Sequence, residues 1–147
     1  MNFETKYTFS NSQKKVWDIL TNYEQLKKCI PGCNKINLLE EDKYEIDLTI
    51  GIASIKGNYK GTISMFEKKE PDSYKIKLSG TGNSGFIDGV ALIKLEEIDA
   101  TTTDILIDAE ANVGGLIARI GQRILGHGAN ILIKQTFDCI QKNINTQ

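Results

Sequence analysis

The stretch VGGLIARIGQRILGHGANILIKQTFDCIQKNI, residues 113–144, is the longest part of the chain in which side chains recur with a helical period. Polar side chains at steps of three or four fall on one face of an α-helix: Arg119, Arg123, His127, Asn130, Lys134, Asp138 and Gln141. The opposite face carries Ile117, Gly121, Ile124, Leu125, Gly128, Leu132, Thr136 and Ile140. We therefore predict one amphipathic helix of roughly thirty residues, about 45 Å long at about 1.5 Å per residue.

Glycines interrupt this helical pattern at Gly121, Gly126 and Gly128. Each lowers the stability of a helix by about 1 kcal/mol relative to alanine. Gly121 and Gly128 lie on the apolar face, where a missing side chain either lets a neighbouring backbone approach closely or leaves empty space. The rest of the chain has to supply the surface on which this helix lies.

Residues 33–113 have a period of two, which is typical of half-buried strands. After a first strand that starts at residue 33, alternate apolar or small residues mark five more: Tyr44 to Ile52, Tyr59 to Met65, Tyr74 to Gly80, Gly89 to Leu95 and Ile105 to Val113. Short turn segments such as Pro71-Asp72 and Asp99-Ala100 separate them. Connections of this length imply antiparallel hairpins.

The N-terminal part adds one strand and two helices. Residues 1–9 alternate in the same way and predict a strand. Ser10-Asn-Ser-Gln13 and Asn22-Tyr-Glu-Gln25 have the spacing of helix N-caps and predict two short helices, the second ending near Cys29. Glycines within the strands mark bends, and a sheet bent at several places can wrap around a helix. We predict an α+β helix-grip fold, in which a seven-stranded antiparallel sheet wraps around the long C-terminal helix, with two short helices after strand 1.

The predicted inner surface contains many small residues. On the strands these are Gly61, Gly80, Gly89, Ala91, Ala109 and Ala111, and on the helix they are Gly121 and Gly128. Small residues that face small residues produce either close packing, which is normal in protein cores, or an empty space. An apolar cavity of this kind would bind a ligand. Periodicity alone leaves both possibilities open.

Composition excludes several classes of protein. The chain has 147 residues, 40% of them hydrophobic and 25% charged, which predicts one globular domain over residues 1–147. A net charge of −1 argues against nucleic-acid binding. We see neither a signal peptide after Met1 nor a run of about 18 apolar residues that would span a membrane. A cytoplasmic protein is therefore expected.

The three cysteines give no pattern of a metal site. Cys29 and Cys33 flank Ile-Pro-Gly with a spacing of three residues instead of two, and no histidine or carboxylate cluster lies nearby. Cys139 lies near the apolar face of the long helix. We predict that these cysteines are free, reduced thiols and that the chain binds no metal.

Candidate catalytic residues are few. Tyr44, Tyr59 and Tyr74 share the inward phase, where a hydroxyl could bond a ligand, act as a general acid or simply pack. Asp88 and Asp108 fall in the outward phase, so no pair of carboxylates is visible. The only histidine, His127, lies among the basic residues of the helix without a predictable partner. We therefore predict neither a catalytic residue nor a cofactor.

A basic stripe follows the polar face of the long helix at Arg119, Arg123 and Lys134. Such a stripe either contacts an anionic membrane surface or an acidic partner, or is a solvated helix face. The sequence leaves these interpretations open.

Several motifs resemble the carbon monoxide dehydrogenase G-subunit family over nearly the whole chain. In the first half they are Val16-Trp17-Asp18-Ile19-Leu20, Cys29-Ile30-Pro31-Gly32-Cys33, and Gly51 with Ile55-Lys56-Gly57 and Gly61. In the second half they are Gly80-Thr-Gly82, Gly85 and the segment 113–121, VGGLIARIG. The resemblance implies membership of the START-like superfamily, also called SRPBCC, whose members have a deep hydrophobic cavity under the C-terminal helix.

The resemblance, joined to the match of small residues, makes a real cavity the expectation. The predicted lining is Ile50, Tyr59, Ile63, Leu78, Phe86, Ala91, Ile107, Ile117, Ile120, Ile124 and Leu125. The resemblance also implies a non-catalytic accessory role beside a molybdenum hydroxylase of the carbon monoxide dehydrogenase type. The ligand it implies is a lipophilic molecule, quinone- or lipid-like.

Two other functions stay open at this stage. The superfamily also contains cyclases, so the same cavity could belong to a cyclase- or dehydratase-type enzyme. An assembly factor could instead act through its surface and leave the cavity empty. Many members of the G-subunit family have a C-terminal extension that reaches a membrane. This chain stops at Gln147, so any membrane contact is expected to be peripheral.

Overall fold

Seven antiparallel strands form one sheet in the part of the chain that the structure, a computed structural model, describes: residues 1–52 and 55–145. They are β1 (Asn2–Phe9), β2 (Cys33–Glu40), β3 (Lys43–Ile50), β4 (Gly57–Lys69), β5 (Ser73–Gly82), β6 (Gly85–Asp99) and β7 (Thr102–Gly114). Their order across the sheet is β1-β7-β6-β5-β4-β3-β2. Strands β2 to β7 are therefore joined as consecutive hairpins, as their short connections predict. Strand β1 pairs with β7 and forms one edge of the sheet.

The helices that lie wholly within the described residues are α1 (Gln13–Leu20), α2 (Tyr23–Cys29), a 3-10 helix (Gly115–Arg119) and α3 (Gln122–Asn145). The α3 helix lies against the concave side of the sheet and also packs on α2 and β1. The predicted helix-grip architecture is confirmed.

Polar side chains cap the N-termini of the two short helices, α1 and α2. The Ser12 hydroxyl accepts from the backbone N–H of Lys15 at 3.3 Å, and the Asn22 side chain accepts from the N–H of Glu24 at 3.0 Å. The second cap lies where the sequence predicts it. The first does not, because Ser12 caps α1 in place of Ser10 and the helix begins at Gln13.

The predicted start of the long helix is wrong. Residues 113 and 114 continue β7, since Val113 pairs with Ile87 and Gly114 with Phe86. The α-helix begins only at Gln122 and has 24 residues. Gly121, at φ +94°, separates it from the 3-10 helix; this left-handed backbone conformation suits glycine and cannot lie inside an α-helix.

The packed core fills the half of the concave side beneath α1, α2 and the C-terminal half of α3. Its most enclosed side chains include Phe9, Val16, Leu20, Ile105 and Ile140, all with at most 2% exposure. The rings of Tyr7, Phe9 and Phe137 lie with their centroids 4.8 to 5.5 Å apart in tilted and edge-on pairs. Since this half is closed by large side chains, any empty space under the sheet has to lie at the other end.

A disulfide corrects the prediction of free thiols. Cys29, the last residue of α2, is bonded to Cys139 of α3, and their Cα atoms are 5.4 Å apart. The sequence concealed this pair because 110 residues separate its members. Cys33 is free, as predicted, and its thiol lies 3.5 Å from the carbonyl oxygen of Lys35.

Candidate ligand cavity beneath the C-terminal helix

An apolar cavity of about 240 Å³ lies between the concave side of the sheet and the N-terminal half of α3. It is at the end of the sheet away from α1 and α2. Its lining consists of Met1, Ile46, Leu48, Ile50, Ile55, Tyr59, Lys60, Gly61, Leu78, Ser79, Gly80, Ile87, Val113, Ile117, Leu125, Ala129 and Leu132.

Two paired glycines create much of this space. Gly61 of β4 and Gly80 of β5 lie opposite each other in the sheet and leave the inner surface bare at that point. A Cβ atom on Gly61 would lie 1.8 Å from the carbonyl oxygen of Ser79, so the close approach of the two strands requires glycine there. Ala129 on α3 is also small. The cavity is therefore the space that these side chains do not fill.

Ile55, two residues before β4, contacts α3 at one side of the cavity. The Cδ1 atom of Ile55 lies 3.3 Å from the place where a Cβ of residue 128 would be, so Gly128 leaves room for this side chain. The hydroxyl of Tyr59 donates to the carbonyl oxygen of Ile55 at 2.8 Å. Ile55 thus closes part of the cavity wall, and Tyr59 holds its backbone.

The cavity wall offers few polar groups to a ligand. The Ser79 hydroxyl donates to Asp88 at 2.6 Å, and Lys60 is exposed to solvent. Burial raises the pKa of Tyr59 above its ordinary value, so its hydroxyl stays protonated and neutral. The N-terminal ammonium of Met1 donates to the carbonyl oxygen of Ala111 at 2.9 Å. The wall therefore favours a ligand portion that is apolar and uncharged.

Five of the predicted lining residues lie on this cavity: Ile50, Tyr59, Leu78, Ile117 and Leu125. They come from β3, β4, β5, the 3-10 helix and α3, so the fold brings together residues that are far apart in the sequence. Their role in binding a ligand stays a prediction.

Six predicted residues do not line the cavity: Ile63, Phe86, Ala91, Ile107, Ile120 and Ile124. Ala91 and Ile107 pack in the core at the other end of the sheet. Phe86 precedes the inward residue Ile87, and its ring lies where a side chain on Gly114 would be. Ile124 is 48% exposed, because it lies about 100° around α3 from Leu125, which faces the cavity.

Sequence reasoning missed several lining residues, and most of them carry a usable signal. Ile46 and Leu48 alternate with Ile50, and Ile87 is in phase with Gly89 on the same strand. Ala129 and Leu132 follow Leu125 at steps of four and seven along α3, which places them on the same helical face. Only Ile55 belongs to no periodic segment.

The other two inward tyrosines belong to the packed core. Tyr74 meets Trp17 edge-on with centroids 5.4 Å apart, and Tyr44 stacks on Tyr23 at 5.2 Å. Neither reaches the cavity. His127 is exposed on α3. Among the described residues, no cluster of three or more histidine, cysteine, aspartate or glutamate side chains could hold a metal ion.

A seven-stranded antiparallel sheet that grips a C-terminal helix over an apolar cavity defines the START-like helix-grip fold. The chain belongs to the carbon monoxide dehydrogenase G-subunit (CoxG) family, whose sequence profile matches residues 6–145. No curated protein matches the chain by sequence.

Several solved structures have a similar fold. A conserved protein from Geobacillus kaustophilus is 38% identical, with 99% of this chain and 96% of that chain covered and a TM-score of 0.95. A START superfamily protein from Mycobacterium smegmatis is 9% identical, with 99% and 97% covered and a TM-score of 0.75. An aromatase/cyclase from Streptomyces sp. R1128 is 10% identical, with 98% and 90% covered and a TM-score of 0.63. The last two likenesses concern the fold alone.

One observation bears on whether the chain crosses a membrane. Of the helices within residues 1–52 and 55–145, none is both long and apolar enough to cross a bilayer.

Proposed function

We propose that this protein binds a lipophilic small molecule in the cavity between the sheet and α3. The observation that carries the proposal is the wall of aliphatic side chains, in which the hydroxyl of Tyr59 is already bonded to the backbone of Ile55. An apolar molecule gains free energy by leaving water for such a wall, whereas a charged group would lose its hydration without a partner.

The size of the cavity limits the ligand. A volume of about 240 Å³ is below the range of roughly 300–1,000 Å³ found for pockets that enclose drug-sized molecules. One ring or a short hydrocarbon segment fits inside, and the remainder of a quinone- or lipid-like molecule extends through the opening.

The partner we propose is a molybdenum hydroxylase of the carbon monoxide dehydrogenase type. The support is the family, which is named for a subunit of carbon monoxide dehydrogenase. In this proposal the protein is a non-catalytic accessory that works in the cytoplasm. The Cys29–Cys139 disulfide is the observation that opposes a cytoplasmic location, because disulfides are rare in reducing compartments.

The alternative is a cyclase- or dehydratase-type enzyme, because the Streptomyces aromatase/cyclase has a similar fold. Such an enzyme needs an acid or base that faces the ligand. Tyr59 is the tyrosine of the cavity wall; its proton is donated to the carbonyl oxygen of Ile55, and burial raises its pKa. This arrangement favours binding over catalysis. An assembly factor would be expected to leave the cavity empty.

Extraction of the purified protein with organic solvent, followed by mass spectrometry, tests the proposal. We expect a lipophilic molecule to co-purify with the parent and to be lost from Ala129→Phe, which projects a ring into the cavity. Gln135→Phe adds a ring on the exposed side of the same helix and should keep the molecule. If no lipophilic molecule co-purifies with the parent, and the parent also fails to take up a fluorescent apolar probe, the cavity does not bind ligands and the proposal is wrong.

A further inference from the structure

The side of the sheet that faces away from α3, which we call the outer side, carries the second set of side chains of each strand. Side chains alternate between the two sides along a strand. On β6, Ile87 lines the cavity and Ile93 is buried in the core, so Val90 and Leu92 belong to the outer side. Their partners in the neighbouring strands share that side.

Two rows of side chains cross the outer side at right angles to the strands. They are Lys77–Val90–Glu110 and Lys75–Leu92–Asp108, each written in the strand order β5, β6, β7. In both rows β5 supplies a lysine, β6 an aliphatic residue and β7 a carboxylate. Each row therefore changes from basic through apolar to acidic over three neighbouring strands.

Most of the charge in these rows has no ion-pair partner in its own chain. Lys77, Asp108 and Glu110 are exposed and form no ion pair within the residues that the structure describes. Glu4 of β1 lies opposite Asp108, and like charges at opposed positions destabilise a strand pair. A basic group from another molecule would relieve this repulsion.

Apolar surface separates the acidic strand from the basic one. Val90 is 44% exposed. Beside it, Leu92 and Leu106 line a groove of about 400 Å³, on which Glu4 and Asp108 also lie. A lysine suits such a groove, because its hydrocarbon stem covers apolar surface while its ammonium group reaches a carboxylate.

We propose that the outer side pairs with the outer side of a second copy of the chain, across a two-fold axis that runs along β6. In such an isologous contact, a position on one side of the axis faces the position equally far on the other side. Since β5 and β7 flank β6, Lys77 faces the partner's Glu110. The second row pairs in the same way, and the aliphatic residues of β6 pack against their own counterparts.

The charges select this axis. A two-fold axis perpendicular to the strands would place Glu110 against the partner's Asp108, where like charges repel. Along the selected axis, Asp88 and Lys94 lie two residues beyond the rows and would each approach their own counterpart. Packed sheets cross at about 30°, which separates these outlying positions and leaves the two central rows in contact.

The dimer goes beyond the proposed function, because it needs no ligand. The cavity lies on the other side of the sheet, between the strands and α3, so the contact leaves both cavities uncovered. Variants of the outer side should therefore take up an apolar probe as the parent does.

Sedimentation velocity at increasing protein concentration tests the dimer. We expect the average mass of the parent to rise towards twice that of one chain. Glu110→Lys opposes two lysines and Lys77→Glu opposes two glutamates, so each should raise the dissociation constant at least about tenfold. An equimolar mixture of these two variants should associate as the parent does, because one copy then presents lysine at both positions and the other presents glutamate.

Matched controls make the same changes elsewhere on the sheet. Glu45→Lys on β3 and Lys35→Glu on β2 reverse charges at exposed positions that form no ion pair among the described residues. Both should associate as the parent does. Val90→Ser should weaken association several-fold, whereas Leu38→Ser, at a leucine of β2 that is 53% exposed, should not.

Three results overturn the dimer: a parent that stays monomeric from micromolar to millimolar concentration, equal losses in test and control variants, or a mixture of Glu110→Lys and Lys77→Glu that associates no better than either alone. The first would leave the outer side to a different protein. Uptake of the fluorescent apolar probe reports the cavity separately. A monomeric parent that binds the probe contradicts the dimer and leaves the proposed function intact.

Discussion

The side chain of Ile55 lies against the backbone of Gly128, with its Cδ1 atom 3.3 Å from the position of a Cβ on residue 128. Gly128→Ala would gain up to about 1 kcal/mol of helix propensity but would press on Ile55. In the variant Ile55→Ala this pressure disappears. We therefore expect Gly128→Ala to be more stabilising in the Ile55→Ala background, with a coupling free energy of at least about 0.5 kcal/mol.

A double-mutant cycle by urea unfolding measures this coupling. Gly126→Ala is the control, because its added Cβ would meet Cδ2 of Phe3 at an ordinary 3.6 Å and would not face Ile55. It should add to Ile55→Ala without coupling. A coupling near zero in the Gly128 cycle would mean that Ile55 does not rest on α3 in solution.

Gly121 should resist substitution although space surrounds it. A Cβ on Gly121 would have no atom within 4 Å, but its φ of +94° is a conformation that side chains disfavour. We expect Gly121→Ala to lower the free energy of unfolding by about 1–2 kcal/mol. Gly51 has equally open surroundings without a left-handed φ, so Gly51→Ala should be nearly neutral. Equal effects on urea unfolding at the two positions would refute the strain at Gly121.

The start of α3 shows why sequence reasoning located the helix but not its first residue. Val113 fits the strand period that runs from Ile105, whereas Ile117 and Gly121 fit the helical period. Local periodicity cannot choose between the two. Pairing with β6 extends the strand to Gly114, and that pairing is a property of the folded sheet.

The lining of the cavity is likewise only partly predictable, because it too depends on more than local periodicity. The phase of each strand identifies Ile50, Tyr59 and Leu78 as inward residues, and all three line the cavity. Phase does not say which end of a strand is packed, so it predicts cavity positions for Ala91 and Ile107 as well, although both lie in the core. The contact of Ile55 depends on a loop and has no periodic signal.

Acid should weaken the attachment of β1 to β7 through Asp104. The Thr8 hydroxyl donates to this carboxylate at 2.7 Å, and Lys6 Nζ lies 3.2 Å away. These contacts, the Thr8 hydrogen bond first, hold the pKa of Asp104 below its ordinary value. A carboxyl with a lowered folded-state pKa contributes stability that is present above its unfolded pKa of about 3.9. This stability is lost as the pH falls through the folded-state pKa.

Thr8→Val should therefore reduce the loss of stability on acidification. Thr5→Val is the control, because the Thr5 hydroxyl donates to the Asn130 side chain, an amide that does not titrate. Urea unfolding between about pH 5 and pH 2.5 gives the comparison. If the parent and Thr8→Val lose the same free energy over this range, the hydrogen bond to Asp104 does not contribute to the pH dependence.

The Cys29–Cys139 disulfide should stabilise the fold by restricting the unfolded chain. It joins α2 to α3 across 110 residues, and bonds that close long loops typically contribute about 2–4 kcal/mol. We expect a dithiol reductant to lower the free energy of unfolding by this amount. The variant Cys29→Ser with Cys139→Ser should match the reduced parent, because neither can form the bond.

Cys33→Ser is the control for this comparison, since Cys33 is the free thiol and lies four residues from Cys29. Its unfolding should respond to reductant as the parent does. Alkylation of thiols in intact cells, before lysis, then reports which form is present where the protein works. Three alkylated cysteines indicate a reducing compartment and support the cytoplasmic location, whereas one indicates that the bond persists there. If the reductant leaves the unfolding of the purified parent unchanged, α2 and α3 are held by packing alone and the bond contributes nothing to the fold.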